Sequence, residues 1–200
     1  MADLFAEKAK DWDVNEMVLA LSSGVGSSVL NNVDLTEQMH VMDFGAGTGL
    51  LTSQVAAKVN KVTAVDVSES MLEQLMAKED LNGKVEAVCQ DITVDALGIE
   101  FDLIISAMAM HHVEDTDKML QSFSGHLKSG AKVALADLDK EDGSFHPEGI
   151  DGVFHDGFER EAFQVKLENA GFNDVKFETA HTVDKGEKKY PIFLVVATKS

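Results

Sequence analysis

The sequence predicts an α/β fold: a doubly wound, seven-stranded, mostly parallel sheet with helices on both faces and an antiparallel hairpin at its C-terminal end. Three observations predict it. Short apolar runs rich in β-branched residues alternate with stretches of helical spacing along the whole chain. No repeat, Pro-rich linker or low-complexity block breaks the alternation, and the 200 residues contain only two prolines. The last two β-rich runs are joined by Asp184-Lys185-Gly186-Glu187, too short for the crossover that a parallel pair would need.

Each element has its own signal. Residues 40–44 (HVMDF) form a short apolar run that ends in glycines, and 50–59 carries apolar positions at helical spacing. Residues 62–66 (VTAVD) read as a second strand. Ser68-Glu69-Ser70 then offers a cap for a helix through Met71, Leu72, Leu75 and Met76, with Asn82-Gly83 as its stop. Residues 85–89 alternate as a third strand, and 101–106 (FDLIIS) are apolar enough for burial on both faces. A helix over 116–127 puts Leu120, Phe123 and Leu127 on one side, and Lys128-Ser129-Gly130 turns into a fifth strand over 131–138. A glycine-rich irregular segment, 139–158, precedes a helix over 159–170 that ends at Gly171, and strands over 175–183 and 190–198 close the sheet.

Charge and composition exclude several functions. With 17 Lys+Arg against 35 Asp+Glu, the formal net charge of −18 disfavours nucleic acid and anionic membrane as partners, and no basic cluster offsets it. At 44% hydrophobic the chain has enough apolar material for a core, and its length predicts one domain, 1–200. The single Cys89 cannot form an internal disulfide, the N-terminus lacks a signal-peptide pattern, and the most apolar stretch is half a membrane span containing Asp102. The expectation is a cytoplasmic protein, monomer or homodimer.

Open α/β sheets bind ligands at the carboxyl ends of their strands, so those ends hold the candidate residues. Asp43-Phe44-Gly45-Ala46-Gly47-Thr48-Gly49 lies between the first strand and the first helix of the sheet. Glycines there tighten the turn and let a ligand approach the backbone. Their even spacing differs from the G-x-G-x-x-G dinucleotide fingerprint, whose third glycine would fall at Leu50. The D-x-G-x-G-x-G run instead resembles the first motif of class I S-adenosylmethionine (SAM)-dependent methyltransferases, and the resemblance extends over most of the chain.

That resemblance implies a Rossmann-like methyltransferase fold, SAM as cofactor and a set of residue roles. Asp66, ending the second strand, stands where the family places an acid on the ribose hydroxyls, a job suited to two acceptor oxygens. Asp91 and Ile92 stand where an acid meets the adenine amino group and an apolar side chain covers the ring, and Val67 and Met71 would pack around ribose and adenine. Ser106 begins the segment lining the methionine end, and Leu127-Lys128-Ser129-Gly130-Ala131 is similar to the family's L-K-P-G-G turn with Ser for Pro. Gly45, Ala46, Gly47, Thr48 and Gly49 would contact the cofactor directly. Asp43 either holds the glycine loop or accepts from the cofactor's ammonium group.

On the substrate side, Phe5 to Asp13 resembles the F-x-x-x-A-x-x-W-D opening of many small-molecule methyltransferases. It predicts a helical cap over residues 1–30, in which Trp12 either covers the cofactor or staples the helix to the sheet. His111 and His112 resemble the pair that follows the fourth strand in ubiquinone- and menaquinone-type enzymes. They are the candidate catalytic bases, the alternative being that they shape the loop. The insert Asp137 to His146, with His155 and Phe158 beyond it, is similar to a bacterial methyltransferase subfamily. No metal site is expected, because its histidines lack regular ligand spacing. The expected function is SAM-dependent methyl transfer to a small-molecule acceptor, the alternatives being a catalytically silent SAM-binding regulator or scaffold and an NAD(P)-dependent oxidoreductase.

Overall fold

The structure, a computed structural model, describes residues 3–147 and 149–200. Seven strands form one sheet: β1 (His40–Phe44), β2 (Lys61–Asp66), β3 (Val85–Cys89), β4 (Phe101–Ala107), β5 (Leu127–Leu138), β6 (Phe172–Lys185) and β7 (Lys188–Lys199). Their order is β3-β2-β1-β4-β5-β7-β6. The first five run parallel, and β7 lies antiparallel between β5 and β6. Strand order reverses between β1 and β4, so the space beyond their carboxyl ends is the topological switch point.

The period-2 alternation of side chains divides the core in two. Val41, Val62, Ala64, Leu103, Ile105, Ala134, Ile192 and Leu194 face one side, where they meet α2 (Glu16–Asn32), α3 (Leu50–Ala56) and α4 (Glu69–Met76) through residues such as Val25, Val55 and Leu75. Their neighbours Met42, Phe44, Val65, Ile104, Val133, Leu135, Phe193 and Val195 face the other side, under α5 (Thr116–Gly125) and α6 (Arg160–Asn169). A sheet covered on both faces needs strands that are apolar at every position, and β4 is buried throughout its centre.

The architecture agrees with the sequence expectation, and local boundaries differ for physical reasons. The helix capped by Ser68, whose Oγ accepts from Met71 N, ends at Met76 rather than at Asn82-Gly83. A 3-10 turn over Glu79–Leu81 buries Leu81 in the core and delivers the chain to Gly83 at φ 76°. The 128–130 turn lies within β5: pairing begins at Phe101 with Leu127, then jumps to Leu103 with Lys132, and Gly130 at φ 76° absorbs the irregularity. The hairpin strands are longer than the apolar pattern indicated, because pairing continues past the apolar run through Asp184 with Lys189 and Lys185 with Lys188, where Asp184 and Lys189 also form an ion pair (3.1 Å). The N-terminal region is three pieces: α1 (Ala6–Ala9), a 3-10 turn over Trp12–Val14, and α2, whose first amides at Met17 and Val18 are capped by Asn15. No helix among the described residues is long and apolar enough to cross a membrane.

Candidate functional site

The loop from β1 to α3 holds Gly45, Gly47 and Gly49 at φ 67°, 55° and 81°, a region that disfavours side chains. Their surroundings differ. A Cβ on Gly45 would stand 2.2 Å from Ala109 Cβ and one on Gly49 2.7 Å from Leu75 Cγ, whereas one on Gly47 would meet nothing within 4 Å. Gly45 and Gly49 therefore allow close packing of protein on protein, and Gly47 presents bare backbone to open space.

The end of β2 fixes this loop. Gly45 N and Ala46 N donate to Val65 O (2.8 and 3.1 Å), and Gly47 N donates to Asp66 Oδ2 (2.8 Å). Asp66 Oδ1 accepts from Ser68 N (2.9 Å), so each carboxylate oxygen is aimed by one backbone amide and keeps a second lone pair. Burial raises the Asp66 pKa, and the amide bonds act against that rise. Asp43 sits deeper. Its carboxylate accepts from Thr52 Oγ1 of α3 (2.5 Å), and burial pushes its pKa up to about 7. The geometry joins Asp43 to the helix behind the glycine loop.

Other sequence-selected residues spread around the same strand ends. Thr48 is buried, Ala46 is nearly so, and Val67 is 66% exposed beside Asp66. Met71 is buried on α4, and Ile92 lies in the core cluster under α5. Asp91 is exposed past β3, its Oδ1 accepting from Thr93 N and Oγ1 (2.9 and 2.7 Å). Ser106 is buried and its hydroxyl donates to Phe44 O (2.8 Å), tying β4 to β1 at the switch point.

The N-terminal segment straps across these groups. Asp3 Oδ2 accepts from Ser68 Oγ (2.9 Å) and Ser70 N (3.2 Å), next to Asp66. Asp13 accepts from Thr48 Oγ1 (2.5 Å) and pairs with Lys78 Nζ (2.7 Å). Between these clips, Phe5 stands edge-on to Trp12 (centroids 6.2 Å) and to His112 (5.4 Å). Asp3 and Asp13 were missed by sequence reasoning as individual contacts; the only signal was the position of Asp13 at the end of the W-D motif.

Past β4 the backbone passes through Met108 at φ 57° and a 3-10 turn, Met110–His112. His111 is buried, and its Nδ1 lies 2.7 Å from Asp137 Oδ1 at the end of β5. Its Nε2 lies 3.2 Å from His146 Nε2 in the insert after β5. His112 Nδ1 is 2.6 Å from Gly152 O, also in the insert. Burial foremost, then the neighbouring His111, lowers the pKa of both His112 and His146 to about 4. His155 turns away, with Nε2 2.9 Å from Val113 O. Among the described residues no group of three or more His, Cys, Asp or Glu side chains is arranged to hold a metal ion. The pairing of Asp137 with His111 is not legible in the sequence, where 26 positions separate them; only adjacency of β4 and β5 brings them together.

A five-stranded parallel wing, a reversed strand inserted before the last, and a glycine loop at the switch point define the class I methyltransferase fold. Comparison with known proteins agrees: residues 41–130 match the family model described as a methyltransferase domain. A Geobacillus sp. (strain WCH70) protein named an uncharacterized methyltransferase is 31% identical over 177 residues, covering 86% of this chain and 71% of that one. An uncharacterized methyltransferase of Schizosaccharomyces pombe is 27% identical over 175 residues, covering 79% of this chain but only 62% of the yeast protein. Among solved structures, a SAM-dependent methyltransferase from Aquifex aeolicus superposes with a TM-score of 0.70 at 25% identity, covering 98% of each chain. The chain belongs to the class I SAM-dependent methyltransferase family.

Proposed function

We propose that this chain transfers the methyl group of SAM to a small-molecule acceptor, with the cofactor seated along the glycine loop and the ends of β2 and β3. The observation that carries the reading is the contrast within the loop: two glycines are filled against protein, while Gly47 opens to space beside a carboxylate already aimed by its own amide. These residues fit the cofactor's chemistry. Asp66 has lone pairs left for a vicinal diol, Val67 and Met71 offer apolar surface beside it, and Asp91 with Ile92 and Ser106 flank the remaining strand ends. When bound, SAM supplies an electrophilic sulfonium methyl. The chain's contribution is orientation and exclusion of water: Phe5 and Trp12 cover the strand ends, Asp3 and Asp13 clip that cover down, and His112 meets Phe5 from the loop after β4 with His111 buried behind it. The surplus of acidic residues favours a neutral or cationic acceptor over a nucleic acid.

Isothermal titration tests the reading. SAM and S-adenosylhomocysteine are expected to bind with 1:1 stoichiometry and NADH to give no heat; absence of SAM binding at millimolar ligand overturns the assignment. Asp66→Ala is expected to weaken SAM binding about tenfold or more while the protein stays folded, as loss of charged hydrogen bonds requires. Unchanged affinity removes Asp66 from the cofactor site.

A further inference from the structure

Resting on the methyl-transfer reading, we propose that Asp137, His111 and His146 form a proton relay in which His146 is the general base for a hydroxyl-bearing acceptor and the other two are positioning residues behind it.

The hydrogen-bond geometry dictates the protons. The Asp137 side chain is fully buried and takes three bonds: His111 N to Oδ2 (3.1 Å), Leu138 N to Oδ1 (2.8 Å) and His111 Nδ1 to Oδ1 (2.7 Å). The two backbone amides can only donate, so they demand an accepting carboxylate, and an accepting carboxylate demands a proton on His111 Nδ1. Neutral His111 then carries a lone pair on Nε2. The His146 Nε2 atom 3.2 Å away must donate its proton to that lone pair, because two lone pairs facing at this distance repel. His146 is left with its lone pair on Nδ1. One buried carboxylate thus sets the tautomers of two imidazoles in sequence, and the outer one, half-buried in the insert, is the more exposed of the two.

The same bookkeeping separates His146 from His112. His112 donates Nδ1–H to Gly152 O, a neutral carbonyl that offers little stabilisation to an imidazolium and no route for a proton. Its edge contact with Phe5 makes it part of the wall between strap and insert. The groups facing His146 are His111 and His112 from the turn after β4, Lys185 from β6 and Lys8 from the strap. Lys185 Nζ is held by Phe145 O (2.7 Å) above the Phe145 ring. Burial foremost, with the Lys185 and Lys8 ammonium groups nearby, keeps His146 neutral near pH 7, the state in which it can accept.

In the transfer, the acceptor oxygen forms its bond to the methyl carbon as the carbon–sulfur bond of SAM breaks, the pair of electrons remaining on sulfur in S-adenosylhomocysteine. The hydroxyl proton passes to His146 Nδ1 and the His146 Nε2 proton to His111 Nε2. The resulting imidazolium is held against Asp137, and return of a proton to solvent through His146 resets the relay. An acceptor without a proton to lose, such as a tertiary amine or a carboxylate, makes no use of this arrangement.

Long-range ¹⁵N NMR of the wild-type protein needs no variant to fold. His111 is expected as the Nδ1–H tautomer and His146 as the Nε2–H tautomer at pH 7. A release assay for S-adenosylhomocysteine over phenols, alcohols, tertiary amines and carboxylates is expected to find turnover among the hydroxyl compounds. On such an acceptor, His146→Gln and Asp137→Asn are expected to lower kcat about 100-fold or more, the scale of general base catalysis. Both should leave SAM affinity by calorimetry within about twofold, as expected of groups placed on the acceptor side. The reverse tautomer at either histidine, wild-type kcat in His146→Gln, turnover confined to acceptors lacking a dissociable proton, or a stoichiometric metal ion in the purified protein would overturn the relay. Loss of SAM binding in the wild type is a separate result, because it removes the methyl-transfer reading itself.

Discussion

Gly45 and Gly47 share a left-handed backbone, yet a methyl group added to each meets a different world, and that difference separates folding from binding at single-residue resolution. At Gly45 the new Cβ would collide with Ala109 Cβ at 2.2 Å in addition to the cost of φ 67°. Gly45→Ala is expected to lose about 2–4 kcal/mol in urea unfolding, the sum of left-handed strain and overpacking. At Gly47 only the backbone cost at φ 55° applies, so Gly47→Ala is expected to lose about 1–2 kcal/mol and to remain folded. Its larger effect should be on SAM, since the methyl group projects where a ligand approaches. Equal stability loss in the two variants would show that Ala109 yields freely, and unaltered SAM affinity in folded Gly47→Ala would place the ligand elsewhere. Asp43 makes the complementary point: its bond to Thr52 explains its burial without any ligand.

At the scale of elements, the candidate site is bordered by two segments that belong to neither face of the sheet. The N-terminal strap meets the insert where a Cβ on Gly152 would lie 2.8 Å from Leu4, and the insert is tied to the turn after β4 by Phe154 N and His155 N donating to His111 O (3.0 and 3.3 Å). Asp13 is the strap's firmest clip, joining Thr48 in the glycine loop to Lys78 beyond α4. Asp13→Ala is expected to speed S-adenosylhomocysteine dissociation about tenfold in stopped flow, corresponding to about 1.4 kcal/mol. Amide exchange should rise over residues 3–14 while staying unchanged in β1 and β4; an unaltered off-rate would mean that the strap does not gate release. These elements also mark how far sequence could be read. The parallel strands were legible because burial on both faces leaves almost no polar positions in FDLII or VTAV, and glycine spacing is itself a backbone requirement. The clips were not legible: aspartates at 3 and 13 look like any solvated acid until the chain folds back across 65 and 35 positions. Helix and strand ends moved for a similar reason, since core burial of Leu81 and the pairing of Leu127 are decided by distant partners.

For the whole molecule, pH sets opposing demands whose balance can be worked out. His112 and His146 have folded pKa values lowered to about 4 from 6.5, so between these values the unfolded chain holds protons that the folded chain refuses. Their contribution to stability is complete above pH 6.5 and is lost as pH falls toward 4, the share of His146 being reduced because that side chain is only half-buried. Asp43 runs the other way: its pKa is raised to about 7 from 3.8, so the folded chain holds a proton that the unfolded chain releases. Its cost is absent below pH 3.8 and is complete above pH 7. With net charge −18 at pH 7, self-repulsion among surface carboxylates also relaxes on acidification. A stability maximum on the acid side of neutrality follows, with the histidines setting the acid limb and Asp43 the alkaline one. Asp43→Asn isolates the second limb, because the amide oxygen still accepts from Thr52 while the titration disappears. Urea midpoints are expected to show Asp43→Asn gaining on the wild type from pH 5 to about pH 7 and levelling off by pH 8, with the acid limb steeper in the variant than in the wild type. A wild-type-minus-variant difference that stays flat across that range would mean that Asp43 keeps an ordinary carboxylate pKa despite its burial, and the alkaline limb would then belong to surface repulsion alone.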